Sequence, residues 1–445
     1  MKKTTTFIAG IILILSVLDS PGQNTWSLQE CIDYAIENNI RIKQQELNTG
    51  YNQNLVKQAE SDRLPNLNGS LSNNYNFGRS LTYDNTYKNV NSMQVNGYLA
   101  TDVVIWNGFI INNTVKMREF DLHAAIHDLQ KTKDDIVLNT AAAYLEILFA
   151  EELVLVSEAQ IEVTDQQIDR TRKLVDAGSL AKGALLEIEA QLAREELQLV
   201  KDQNLVQLAY LNLYQFLELP VEKSFNIEKP KLPEVKANIT MTNSFDVFKN
   251  AINSRPEIKA AQLRVESAGK QLSIARGNRF PVLSAGANYY NLYNDQYRDL
   301  NGQLISFGNQ FSNNKRYAAG ITLNIPLFNR FQVNYGISNA KLQIQDYEYQ
   351  LQAARNVLRK DIEQAYTNAL AALNRYISSE KAVESMEEAF RYTEEKYNVG
   401  MINTVEYNQS KNYLTAARSE QLQSRYEYIF RTKILDFYNG IPIEL

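Results

Sequence analysis

The sequence predicts an α+β membrane chain of long α-helical coiled-coil hairpins plus four β-strands, laid out as two copies of one pattern. Three observations predict it. Glycine and proline, 18 and 9 of the 445 residues, leave two very long stretches untouched, 109–177 and 337–399. Four segments alternate between two sets of side chains with a period of two. One motif occurs twice, with its surroundings.

The untouched stretches read as continuous helices, because Gly and Pro are the residues that cost most inside a helix, about 1 and 3 kcal/mol. At 1.5 Å per residue each reaches roughly 100 Å. Leu351, Ala354, Leu358, Ile362, Ala365, Ala369, Leu373 and Tyr376 recur at threes and fours. That is a coiled-coil seam, and its small residues predict close packing. Each stretch ends at a single glycine, Gly178 or Gly400, and a second nearly clean run follows, 184–219 or 401–439. The glycines mark hairpin tips or left-handed C-caps. One very long helix that tolerates a glycine is the alternative.

The repeat sets the domain organisation. Ala35-Ile36-Glu37-Asn38-Asn39-Ile40-Arg41-Ile42-Lys43 returns as Ala251-Ile252-Asn253-Ser254-Arg255-Pro256-Glu257-Ile258-Lys259. The same spacing sets Arg63-Leu64-Pro65 against Arg279-Phe280-Pro281. A slightly larger one sets Trp106-Asn107 against Phe328-Asn329, and Gly178 against Gly400. The halves are therefore 23–227 and 241–445. The Pro- and charge-rich linker 228–240 joins them. Residues 1–22 read as an export signal. Lys2 and Lys3 precede an apolar stretch, Phe7–Val17, too short to span a bilayer, and Ser20-Pro21-Gly22 supplies small residues for cleavage. The single cysteine, Cys31, excludes an intrachain disulfide and lies beyond any site for lipid attachment.

The strand segments are 67–77, 93–105, 283–293 and 317–327, two per half. Their odd positions include Leu71, Val95, Val103, Ala285, Ile321 and Leu323; the facing positions include Gln94, Asn96, Asp102, Ser284, Asn288 and Asn324. Aromatic residues cluster at the ends: Tyr75, Phe77, Trp106, Phe109, Tyr289, Tyr290, Tyr293, Tyr317, Phe328 and Phe331. Membrane-barrel strands have this length, alternation and aromatic girdle. Four strands cannot close a transmembrane barrel, whose smallest examples have about eight. An open sheet in lipid would leave its edges unsatisfied. If the sheet spans a membrane, several copies must share one barrel, and the polar helices must project into water. The alternative is a soluble periplasmic coiled-coil adaptor or scaffold, with the strands in a soluble sheet.

Composition excludes other classes. A net charge of −5 argues against nucleic acid as a partner. A mean hydropathy of −0.37 argues against a bundle of membrane helices. His123 and His127, the only histidines, share a helix face but lack the Glu of a zinc-protease motif and read as a surface pair. Asp134-Asp135, Glu387-Glu388 and Glu394-Glu395 read as solvated faces. No phosphate-binding loop or nucleophile elbow is present, so neither enzyme activity nor a cofactor or metal is expected.

The duplicated order of helix, two strands, long helix and hairpin resembles the TolC family of outer-membrane efflux and secretion channels. So do Trp26-Ser27-Leu28-Gln29-Glu30-Cys31, the Arg-Leu/Phe-Pro strand entries and Tyr397-Asn398-Val399-Gly400. The resemblance implies a homotrimer with a 12-stranded β-barrel in outer-membrane lipid and a periplasmic α-helical tunnel. It implies a periplasmic adaptor (a membrane fusion protein) and an inner-membrane transporter as partners, in efflux or type I secretion. Cargo would be small molecules or polypeptides, with energy from the transporter. The family's archetype closes its inner end with two acidic rings, which fall on Glu406 and the neutral Gln409. Glu406 thus reads either as a pore constriction or as a solvated helix residue. The archetype's arginine–acid latch falls on Ile402 and Ala184, while Tyr397 is kept for tip packing. Gly178, Ser179, Leu180, Val399, Gly400 and Met401 resemble the turns that dock on adaptor hairpins.

Overall fold

The computed structural model describes residues 25–82, 85–220, 225–231 and 243–443; the predicted signal 1–22 and residues 232–240 of the predicted linker lie outside them. The first half runs β1 (Thr25–Trp26), α1 (Leu28–Asn38), α2 (Ile40–Ser61), β2 (Asn68–Asn76), β3 (Arg79–Leu81), β4 (Tyr87–Asn89), β5 (Ser92–Trp106), α3 (Ile110–Asp176), α4 (Lys182–Leu217) and β6 (Asn226–Ile227). The second runs α5 (Ser244–Ser254), α6 (Pro256–Gly277), β7 (Val282–Asn294), α7 (Phe307–Asn313), β8 (Arg316–Asn324), α8 (Gln332–Asn398) and α9 (Thr404–Tyr438).

The duplication holds for the helices flanking the sheet and for the four strands of the main sheet; among the described residues β1, β3, β4 and β6 of the first half and α7 of the second have no counterpart. Helices α1 and α5 have 11 residues each, α2 and α6 have 22, and α3 and α8 have 67. The first two helices of each half meet at one residue. In the first half it is Asn39, whose Oδ1 accepts from the Arg41 N–H at 2.9 Å and whose Nδ2 donates to the Phe216 carbonyl at 3.0 Å. In the second it is Arg255, followed by Pro256, which is preorganised for the first turn of a helix. Arg255 lies 3.0 Å from Asp134 and 3.3 Å from Glu257, with its guanidinium over the Phe437 ring. Asp134 is therefore not the solvated acid expected from its sequence neighbourhood. It faces the joint of the other half, and burial raises its pKa.

Strands give way to the long helices through paired left-handed residues. These are Gly108 and Phe109 in one half (φ 66° and 63°) and Arg330 and Phe331 in the other (φ 53° and 60°). A Cβ on Gly108 would sit 2.6 Å from the Gly277 carbonyl oxygen, so the first half requires glycine there.

The four strands form one antiparallel sheet in the order β2-β5-β7-β8, and the halves meet at β5–β7. Register keeps the alternation in phase up to a bulge between Val104 and Trp106, which brings Trp106 opposite Leu283. Leu71 stands opposite Gly97, Leu99 opposite Tyr289, Val103 opposite Ala285, and Ala285 and Leu283 opposite Ile321 and Leu323. The other face carries the pairs Ser72–Asn96, Asn74–Gln94, Ser284–Thr322 and Val282–Asn324. A one-residue slip anywhere would mix the two faces. Tyr290 departs from the predicted girdle: it stands on the polar face and donates to Asn96 at 2.9 Å. Strand β8 stops at Asn324, short of the predicted 327, because Pro326 cannot supply a ladder donor.

The main core packs α1 against α3 and α4, with Cys31, Ala35, Tyr144, Ile147, Leu213 and Leu217 buried. A capping box starts α1: the Ser27 N–H donates to Glu30 Oε2 at 2.7 Å, and the Glu30 N–H donates to Ser27 Oγ at 3.3 Å. Strand β1 pairs in parallel with β6, and the Tyr144 hydroxyl donates to the carbonyls of Trp26 (3.1 Å) and Glu228 (2.7 Å). In the second hairpin the predicted seam is buried at Leu358, Ile362, Ala365, Ala369 and Leu373.

Candidate functional site: the hairpin tips and the polar layer behind them

Both tips are tight turns, so α3–α4 and α8–α9 are hairpins and not single helices. At the first, the Gly178 N–H donates to Val175 and the Ser179 N–H to Leu174, both at 2.9 Å. At the second, Gly400 donates to Tyr397 at 3.0 Å and Met401 to Lys396 at 2.9 Å. This double bond is the Schellman motif, which needs a left-handed residue. Gly178 and Gly400 supply it at φ +73° and +76°. The glycines are thus tips and C-caps at once. Val399 and Met401 are 71% and 76% exposed, and Leu180 and Ser179 also face solvent.

Past the second tip, Asn403 caps α9. Its Oδ1 accepts from the Glu406 N–H at 2.9 Å, and its Nδ2 donates to Glu406 Oε1 at 3.1 Å. Glu406 and Gln409 follow one turn apart and are exposed in the single chain; Gln409 Nε2 donates to the Tyr413 hydroxyl at 2.9 Å. Tyr397 stacks on Tyr407 with ring centroids 4.6 Å apart, and its hydroxyl lies 3.4 Å from Thr404 Oγ1. Burial, with the nearby Glu394 carboxylate, pushes the Tyr407 phenol up to about 12. Ile402 and Ala184 offer no ionic latch. The structure instead places Arg170 of the first hairpin against Asn398 of the second.

Behind the tips lies a buried polar layer that the sequence reading missed. Lys411 Nζ is 3.3 Å from Glu195 Oε1, donates to the Gln160 carbonyl at 3.1 Å and donates to Thr164 Oγ1. Gln191 Nε2 donates to Glu195 Oε1 at 2.9 Å and to Asn412 Oδ1 at 2.8 Å. Thr415 donates to Gln160 Oε1 at 2.8 Å. The layer joins α3 and α4 to α9. Burial holds the Lys411 pKa below its usual value, and the Glu195 charge works against that shift. The available signal was polar residues at seam positions of an otherwise apolar coiled coil. His123 is exposed and His127 half-buried; among the described residues no three His, Cys, Asp or Glu side chains converge on a metal position.

Such a duplicated chain, with one apolar and one polar sheet face and two helical hairpins, has the build of a channel protein. Comparison with known proteins agrees. The family profile described as Outer membrane efflux protein matches residues 31–217 and 247–434. Outer membrane protein TolC of Escherichia coli (strain K12) is 23% identical over 385 residues, covering 84% of this chain and 74% of that one. Cation efflux system protein CusC of Escherichia coli O157:H7 is 21% identical over 420 residues, covering 89% and 82%. The crystal structure of VceC from Vibrio cholerae superposes with a TM-score of 0.74 at 18% identity, over 94% of this chain and 97% of that one. The chain belongs to the outer membrane efflux protein family, the TolC-type channels. It is an outer-membrane channel for efflux or secretion with a periplasmic helical domain, and not an enzyme.

Proposed function

We propose that three copies, each exported by the signal at 1–22 and built from the halves 23–227 and 241–445, close one 12-stranded barrel and one helical tunnel. The observation that carries this is the outer side of β2 and of β8, unpaired among the described residues, in a four-stranded sheet with an apolar face. In lipid those edges need partners, and three such sheets joined β8 to β2 leave none unpaired. Exposed apolar stripes support it. On α8, Tyr335, Leu342 and Tyr349 recur every seven residues with Val357 beyond; on α4, Leu197, Val200, Leu208 and Leu211 do the same work. Seams of this spacing bury against another helix.

In that assembly the Glu406 carboxylates approach one another at the inner end, and Gln409 forms a neutral ring one turn on. Crowded carboxylates favour cations in the pore. The chain is passive; an inner-membrane transporter supplies the energy. A periplasmic adaptor docks on Gly178, Ser179, Leu180, Val399, Gly400 and Met401, whose apolar members are exposed at the two tips, while Tyr397 packs the second tip from within. Single-channel recording on the detergent-extracted protein tests the constriction. Glu406→Ala is expected to lower the cation-to-anion permeability ratio, with Gln409→Ala changing it less. An unchanged ratio would leave Glu406 as a partner of the α9 cap alone. Imaging the same preparation tests the threefold particle.

A further inference from the structure

Helix α7 lies between β7 and β8 at the outer end of the sheet, away from the long helices. Strand β8 pairs with β7 only as far as Arg316–Tyr290, so among the described residues Asn291–Asn294 have no strand on that side. Helix α7 covers them. Gln310, 2% exposed, accepts from the Asn294 N–H at 2.9 Å and donates to the Asn294 carbonyl at 2.8 Å. Asn314 donates to the Leu292 carbonyl at 2.6 Å, and Asn291 donates to the Phe311 carbonyl at 2.9 Å. The helix is therefore fixed to the strand.

The side on which it leans is set by the residues it meets. Asn291 and Tyr293 belong to the odd, apolar face of β7, and the Tyr293 ring packs on Phe307 at 5.2 Å. Below them on the same face, Tyr289 packs on Tyr317 at 5.2 Å. Phe307 and Phe311, four residues apart, stack at 5.8 Å and are 56% and 51% exposed; Leu300 and Leu304 before them are exposed too. Gln310 and Asn314 turn toward β7, while Phe307 and Phe311 stay exposed beside the apolar band.

We propose that α7 is a membrane-interface element: Phe307 and Phe311, with Leu304, enter the acyl-chain boundary of the outer leaflet and complete the aromatic girdle above Tyr289 and Tyr317. The inference rests on the barrel reading and adds that this loop meets lipid. Continuity with the lipid-facing side of the sheet carries it. Aromatic rings favour that boundary, where an apolar body and a wet edge are both satisfied.

The test uses the full-length channel in vesicles of phosphatidylcholine, with and without bromine on the acyl chains. Phe307→Trp, Phe311→Trp and, as a control on the sheet, Ile321→Trp are read as fluorescence above the parent chain. The added signal of Phe307→Trp and Phe311→Trp is expected to fall about twofold or more on bromination, as for aromatic residues at the interface. If Ile321→Trp is quenched by bromine but the loop variants are quenched only by aqueous acrylamide, the loop lies in water and the inference fails. If neither reagent quenches them, a neighbouring copy covers the rings, and it fails equally. If Ile321→Trp escapes bromine, the barrel reading itself fails.

Discussion

Lys411 and Glu195 form a buried ion pair between the two hairpins, with Nζ 3.3 Å from Oε1 and side chains 4% and 8% exposed. They lie behind the tips, joining α9 to α4 where an ordinary coiled coil would place apolar residues.

Breaking the pair from one side leaves a charge buried without its partner, so Lys411→Ala should cost about 3–5 kcal/mol. Replacing both residues by Met should cost much less, because the desolvation penalty disappears with the attraction. Thermal unfolding of the helices by circular dichroism compares the two variants. Equal losses would show that the pair's geometry, not its charge balance, is what matters.

The pH dependence of the same site has a definite sign. Burial lowers the Lys411 pKa in the folded chain, so the unfolded chain binds more protons in the window below the usual lysine value. Stability from this group therefore rises as pH climbs through the folded pKa toward about 10.5. Tyrosines such as the half-buried Tyr438, raised by burial to about 12, pull the other way once unfolded tyrosines begin to ionise. The difference between parent and Lys411→Met melts isolates the lysine: the parent should gain on the variant with rising alkalinity.

The two sheet faces should respond oppositely to charge. Ala287 stands on the apolar face beside Ala319 and Thr101. Ala287→Lys should destabilise the barrel by about 2–4 kcal/mol if it sits near the bilayer midplane. Thr322→Lys, on the polar face, should be tolerated and should shift ion selectivity instead. Heat-modifiable gel mobility reports the first effect and channel recording the second.

The tip glycines should fail through backbone conformation alone. Among the described residues nothing lies within 4 Å of a Cβ built on Gly178 or Gly400, so space is no obstacle. Alanine in the left-handed region should still cost about 1–2 kcal/mol, and asparagine less. Protease nicking at each tip should rise in the order Gly, Asn, Ala.

Cys31 should be chemically silent in the folded protein. It is fully buried in the main core, and burial, with the Glu30 charge, pushes its thiol up to about 12. Maleimide is expected to label it only after denaturation, since the thiolate is the reacting species.

Local signals were legible along the chain. The helices α3 and α8 follow from the absence of breakers, the tips from Gly178 and Gly400, and the barrel strands from a period of two. The repeat told which elements correspond. Each depends on residues a few positions apart, so each can be read without knowing what packs against what. The tip residues were legible for the same reason.

Tertiary structure decided what depends on neighbours from elsewhere in the chain. Strand β1 is too short to announce itself, and it exists because β6 lies beside it. Helix α7 carries too few residues to stand alone and is held by the unpaired end of β7. Asp134 looked like one more surface acid until the fold brought Arg255 to it. Lys411, Glu195, Thr164 and Gln191 were unremarkable helix residues until three helices from two hairpins enclosed them. Burial and pairing are properties of such assembled surroundings, and periodicity along one segment carries no record of them.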